Sequence, residues 1–196
     1  MRDVVLMMTT SVDGYVVGPR EHSGALPEPD ELKQWKLNRI RRAGTHIMGR
    51  ITYQEMAGFW PTSTDAYAAP MNSIPKVVFS KTLQAATWPE SSIASGDLAD
   101  EIGTLRRQAG GEIIAWGGAR FAQALARAGL VNQYVIVTQP VAYGGGQPLF
   151  RDLSDDLHLK VIERKAFSSG AELHIYIPEG GSPDQLARTR GYDATS

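Results

Sequence analysis

The stretch Glu112-Ile113-Ile114-Ala115-Trp116-Gly117-Gly118-Ala119-Arg120-Phe121 decides how this chain is read. Residues 112–116 are apolar after the first and read as a short buried strand. Two glycines interrupt it, and 121–128 continue as a small-residue helix, with Phe121 and Leu125 one turn apart and Gly129 as the stop. Glycine between strand and helix lets the backbone approach a neighbour closely, and the helix start offers unsatisfied N–H groups and a partial positive charge. Such a junction is either a packing-forced bend or a seat for an anion. Met48-Gly49-Arg50-Ile51-Thr52 repeats the pattern between a strand over 45–48 and a helix over 52–57, and Arg50 adds a bidentate phosphate donor. Phe79-Ser80-Lys81-Thr82 follows a third strand, 76–79, and is read as another such junction, offering two hydroxyls and a cation. Each can be a plain turn. At the same ends of successive strands the three would form one crevice, whose cations and hydroxyls suit the 2′-phosphate of NADP better than NAD.

The rest of the chain is ordered around these junctions. Val4-Val5-Leu6-Met7-Met8 opens a strand at 3–9, followed by a Gly/Pro-rich loop, 13–29. A helix is expected over 30–42 from Leu32, Trp35, Leu37 and Ile40, with Asp30 as a candidate N-cap after Pro29. Leu98, Ile102 and Leu105 mark a helix near 97–108, and 133–138 read as a strand. The end is antiparallel in pattern: 157–166, a turn at Ser169-Gly170, then Leu173, Ile175 and Ile177 alternating with Glu172, His174 and Tyr176. The expected fold is α/β, a mixed and mainly parallel sheet flanked by helices and closed by a C-terminal hairpin. A single domain is expected over 1–178 and a polar tail over 179–196, the latter mobile or ordered only by partners.

Composition narrows the function. The chain has 196 residues, 42% of them hydrophobic, and no cysteine, which excludes disulfide frameworks, cysteine zinc sites and cysteine nucleophiles. Twenty Lys+Arg against 21 Asp+Glu give a net charge of −1, which argues against nucleic acid as the main partner. The apolar run at 4–8 is too short for a signal peptide or a membrane span, which needs roughly 20 apolar residues. A soluble cytoplasmic protein is therefore expected, with neither nucleic acid nor membrane as partner. His22, His46, His158 and His174 show no ligand spacing, so no metal site is expected, and each is read as a surface or strand-edge residue. P-loop, G-x-G-x-x-G, G-x-S-x-G and H-E-x-x-H motifs are all missing.

The ordered set of motifs resembles the dihydrofolate-reductase-like family, and within it the reductase domain of the bacterial riboflavin-biosynthesis deaminase/reductase and its single-domain relatives. The residues that carry the resemblance begin with Ser11-Val12-Asp13-Gly14, then 47–53 with Trp60-Pro61 downstream. They continue with 77–81, 116–121, and Gln139-Pro140-Val141 followed by 144–150. The resemblance implies NADPH at the carboxyl ends of the strands. Gly49, Arg50, Ile51 and Thr52 would hold the pyrophosphate and 2′-phosphate region, and Ser80 and Lys81 would flank the adenosine. Gly117, Gly118, Ala119, Arg120 and Phe121 would close over the pyrophosphate and nicotinamide ribose, through a Gly-Gly peptide that is often cis in the family. Thr9, Asp13, Gly14, Tyr15 and Val16 would lie beside the nicotinamide, the last four on a mobile lid. A homodimer is implied as well.

The implied activity is hydride transfer from NADPH to a C=N or C=O carbon of a small heterocyclic or sugar-derived substrate. Asp13, Asp30 and Glu31 are the candidate catalytic carboxylates, although Asp13 equally suits a lid turn and Asp30 a helix cap. Tyr15, Trp35, Tyr53, Phe59 and Trp60 are candidates for the substrate wall, with core packing the alternative for each. Two departures from the family stand out. Asn132-Gln133 replace its usual Asp-Glu, and no fused deaminase domain with its zinc-ligand signature is present. A non-catalytic nucleotide-binding module that keeps the fold is the competing reading.

Overall fold

In the computed structural model, which describes residues 1–19 and 27–180, the run Val4–Met8 lies at the centre of the sheet. It belongs to β1 (Val4–Ser11), and Val4, Val5 and Leu6 are completely buried. The run is apolar on both faces because parallel neighbours flank it and helices cover both sides. The elements that follow are β2 (Tyr15–Val17), α1 (Asp30–Ile40), β3 (Ala43–Gly49), α2 (Arg50–Phe59), α3 (Ala68–Ser73), β4 (Lys76–Phe79) and β5 (Ser91–Ala94). After them come α4 (Leu98–Arg107), β6 (Glu112–Trp116), α5 (Ala119–Arg127), β7 (Gln133–Gln139), β8 (Gln147–Pro148), β9 (Leu159–Ala166) and β10 (Glu172–Pro178).

The main sheet has eight strands in the order β5-β4-β3-β6-β1-β7-β10-β9. Every pairing from β5 to β7 is parallel, and β10 pairs antiparallel with both β7 and β9. This is the expected mixed, mainly parallel sheet with an antiparallel C-terminal pair. Period-two alternation divides the core. Val5, Met7, Met48, Val78 and Ile114 face α1, α2 and α3 through Leu32, Ile40, Tyr53 and Met71. Val4, Leu6, Met8, Ile47 and Ile113 face α4 and α5 through Ile102, Leu105, Ala122 and Leu125.

Several expectations need correction. Helix α1 ends at Ile40, and its cap position is Pro29 with no side-chain cap, so Asp30 is the exposed first helical residue and caps nothing. Both junction helices start two residues earlier than the apolar pattern suggested, directly after Gly49 and Gly118. No helix follows β4. The Ser80 hydroxyl accepts from the N–H groups of Thr82 and Leu83, closing a local turn on the way to β5. All described peptides are trans, Gly117–Gly118 included. His46 is no edge residue: it is fully buried in β3 between β4 and β6. From residue 181 the polar tail lies outside the described residues, as does His22. No helix among the described residues is long and apolar enough to cross a membrane.

Candidate functional site

Parallel strands β3, β6 and β1 end on the same edge of the sheet, and the chain leaves two of those ends through glycine. At Gly49 and Gly118 the backbone is extended, with φ −80° and −91°, so neither glycine is there for its dihedral freedom. Space is tight at Gly118, and a side chain at Gly49 would just touch its neighbour. A Cβ on Gly118 would stand 3.1 Å from the Thr52 hydroxyl, one on Gly49 3.4 Å from Phe121 Cβ, and one on Gly117 would run into the Met8 thioether. The starts of α2 and α5 are thus pressed against each other, one from each side of the sheet. The Phe79 ring, 5.2 Å from that of Phe121, brings the end of β4 to the same place.

Neither helix has a side-chain cap, and neither has an acidic residue in its first turn. By contrast α4, which starts beyond the edge strand β5 on the same side of the sheet, is capped by Asp97 and carries Asp100 and Glu101 in its first turn. Uncapped first-turn N–H groups together with the helix dipole favour an anion. Arg50, Lys81 and Arg120 are exposed around the two helix starts, and Arg50 Nη1 lies 3.1 Å from Gln54 Oε1. Ile51 is 56% exposed beside them, while Thr52 and Ala119 are buried beneath. The donor set, uncapped N–H groups with exposed cations and no first-turn carboxylate, has the chemistry that suits an anion such as a pyrophosphate.

The segment after β1 is tied down rather than loose. Tyr15 and Val17 pair with β8, Leu149 N donates to Gly14 O at 2.9 Å, and Val12 N donates to Val141 O at 2.9 Å. The Asp13 carboxylate accepts from Gly144 N at 2.7 Å and Tyr143 N at 3.0 Å. With the Ser11 hydroxyl as the largest cause and these two N–H groups next, its pKa is held down to about 2. Asp13 is therefore ionised and engaged as a latch between two loops, a geometry unlike that of a proton donor. Thr9 and Val16 are half-buried on either side of this latch.

The remaining candidates fall into two groups. Glu31 is exposed and bridges to Lys165 on β9 at 2.8 Å, and Asp30 is exposed beside it. Tyr53 is 3% exposed, and its hydroxyl accepts from Trp88 N at 2.8 Å, so it braces the core and does not line a cleft. Trp60 and Trp35 are half-buried on the α1–α2 face, with Trp60 against Phe59 at 4.8 Å and Tyr67 at 6.2 Å. The Tyr67 hydroxyl donates to Glu28 at 2.8 Å, and burial pushes its pKa up. Lys33 and Asp65 close the same wall at 2.6 Å. Sequence reading missed Tyr67 and Trp116, since nothing local marks either residue as facing an edge built from distant strands.

The model of the RibD C-terminal domain matches residues 2–173. The chain belongs to this family. Two relatives match it over nearly their whole length. The uncharacterized protein YyaP of Bacillus subtilis is 26% identical over 181 residues, covering 89% of this chain and 94% of the relative. The crystal structure of a putative riboflavin biosynthesis protein from Shewanella sp. PV-4 superposes with a TM-score of 0.74 at 25% identity, covering 91% and 99% of the two chains. Dihydrofolate reductase from Enterococcus faecalis, solved in complex with NADP(H), superposes with a TM-score of 0.62 over 90% of this chain and 96% of that one. At 12% identity, that similarity is one of fold alone. The RibD C-terminal domain therefore comes here on a dihydrofolate-reductase-like framework, as the ordered motifs indicated.

Family membership also puts the Asn132-Gln133 departure in its place. Asn132 Oδ1 accepts from Val4 N at 2.9 Å, and Gln133 Oε1 accepts from Arg39 at 2.6 Å. Both sit where β7 begins, at the end of the sheet opposite the glycine junctions.

Proposed function

We propose that this chain is an NADPH-dependent reductase acting on a C=N or C=O group of a small heterocyclic or sugar-derived acceptor. The observation that carries the reading is the meeting of two uncapped helix starts at Gly49 and Gly118, on one sheet edge, ringed by Arg50, Lys81 and Arg120. The first-turn N–H groups of α2 and α5 hold the pyrophosphate, and Arg50 with Lys81 selects the 2′-phosphate. Thr9 and Val16 flank the nicotinamide end, and the Asp13 latch holds the segment that covers it. NADPH, when bound, supplies the hydride. The chain orients that hydride and excludes water through the half-buried aromatic wall of Trp35, Trp60 and Tyr67. Asp30 is the carboxylate to test first as a proton source, since Asp13 is latched and Glu31 is paired with Lys165. Assembly as a homodimer is part of the same proposal.

Titration of NADPH and NADH by nicotinamide fluorescence tests this reading. The expected result is tighter binding of NADPH, weakened by roughly 10- to 100-fold in Arg50→Ala through loss of a charge-assisted hydrogen bond. Binding of neither dinucleotide would sink the proposal. Binding without NADPH consumption across ketone and imine acceptors would favour the non-catalytic module.

A further inference from the structure

Among the described residues His46 is the one histidine that is completely enclosed, and apolar residues would fill its place more cheaply. It sits in β3 with Ile114 of β6 and Lys76 of β4 as its register neighbours. Its Nδ1 accepts from Trp116 Nε1 at 2.9 Å. An imidazole that accepts at Nδ1 carries its proton on Nε2, and Nε2 makes no well-formed hydrogen bond, although the Pro70 backbone acts on the ring. Burial, with the Lys76 ammonium nearby, keeps the ring neutral. Lys76 is itself fixed by the carbonyls of Met71, Asn72 and Ile74.

The group His46 holds is the last residue of the central strand before the Gly117-Gly118 cradle. Trp116 lies in register between Met7 and Met48 and remains half-buried. Its indole reaches back to a residue in register with Ile114, two positions earlier on its own strand. The ring therefore lies along the sheet, on the face that carries Trp35 and Trp60, instead of projecting past the strand end. A freely rotating indole beside two glycines would sweep the cleft, and a tethered one makes a wall.

We propose that His46 is a positioning residue of the cleft: through its hydrogen bond it holds Trp116 as the wall beside the nicotinamide end, on the acceptor side. The proposal rests on the reductase reading of the cleft. It assigns a task to a buried polar group that the core does not need.

The test uses the full chain labelled with 5-fluorotryptophan, with Trp116→Phe to assign the fluorine line, alongside His46→Gln and His46→Leu. Saturating NADPH is expected to displace the Trp116 line in the parent protein and in His46→Gln, whose amide oxygen still accepts. The line of Trp88, buried on Asn72, should stay in place. In His46→Leu the Trp116 line should broaden or split before NADPH is added, and NADPH Kd should rise about fivefold, as loss of one hydrogen bond predicts. Trp116→Phe should show the same rise, and combining it with His46→Leu should add nothing further. A Trp116 line that ignores bound NADPH, or effects of His46→Leu and Trp116→Phe that simply add, would overturn the proposal. Failure of the parent protein to bind NADPH would overturn the reductase reading first, and this inference with it.

Discussion

The two ends of the sheet handle charge in opposite ways. At the amino ends of β6 and β7, Arg39 is 2% exposed and donates to both Glu112 oxygens, at 3.0 Å and 3.2 Å, and to Gln133 at 2.6 Å. Arg2 is also buried there, donating to Gly111 O at 2.6 Å and Thr45 Oγ1 at 2.7 Å. At the carboxyl ends, Arg50, Lys81 and Arg120 stand exposed beside helix starts that no side chain caps. Cations at the amino end serve the protein's own carbonyls and carboxylate. At the carboxyl end the cations are left facing solvent. A concavity of about 540 Å³ does exist at the amino end, lined by Arg2, Arg106, Arg107 and Glu112. Volume alone is therefore a poor guide to the site, because that lining is already bonded to itself.

The largest effect that sharpens this contrast should come from Arg39→Ala. It leaves Glu112 without its buried partner and should cost about 3–5 kcal/mol of stability, read by urea unfolding, with NADPH affinity unchanged. Gly117→Ala should invert the pattern. Its Cβ requires the Met8 thioether to move, costing about 1–3 kcal/mol, and NADPH affinity should fall with it. An Arg39→Ala protein that folds but loses NADPH binding would break the division between the two ends.

A third prediction concerns pH. Burial holds the His46 pKa down to about 3 from its ordinary 6.5. Between those values the unfolded chain takes up a proton that the folded chain refuses, so stability falls as pH drops through the window and is indifferent to this group above it. The slope contributed is at most about 1.4 kcal/mol per pH unit. In His46→Gln, acid unfolding between pH 6 and pH 4 should be shallower by about one proton. The smallest effect is that of Asp13→Asn, which keeps one acceptor oxygen. Amide exchange at Tyr143 and Gly144 should quicken while the melting temperature barely moves.

Much of this architecture was legible in the sequence because parallel strands buried on both faces read as short apolar runs, and each site helix begins right after a glycine. The misses have a common cause in tertiary placement. β5 is Ser91-Ser92-Ile93-Ala94, a sheet-edge strand whose polar residues mimic a loop. α3 contains Pro70 and Asn72, and its final carbonyls are satisfied from outside by Lys76, which local pattern does not show. His46 looked like an edge residue because alternation reports a face of a strand and says nothing of how many strands lie beyond it. Within the candidate site, Gly49, Gly117 and Gly118 were legible as strand exits and do lie at one sheet edge, whereas Tyr53 lies in the core, Ser80 is engaged in its own turn, and Trp116 was passed over as a strand residue.

The account stands most directly on where a dinucleotide touches the chain, and an amide-resolved ¹H–¹⁵N titration with NADPH measures that. The predicted result is shifts concentrated at residues 50–52 and 118–121, with Arg2, Gly111 and Glu112 unmoved. Shifts centred on those amino-end residues, or none at saturating NADPH, would contradict it.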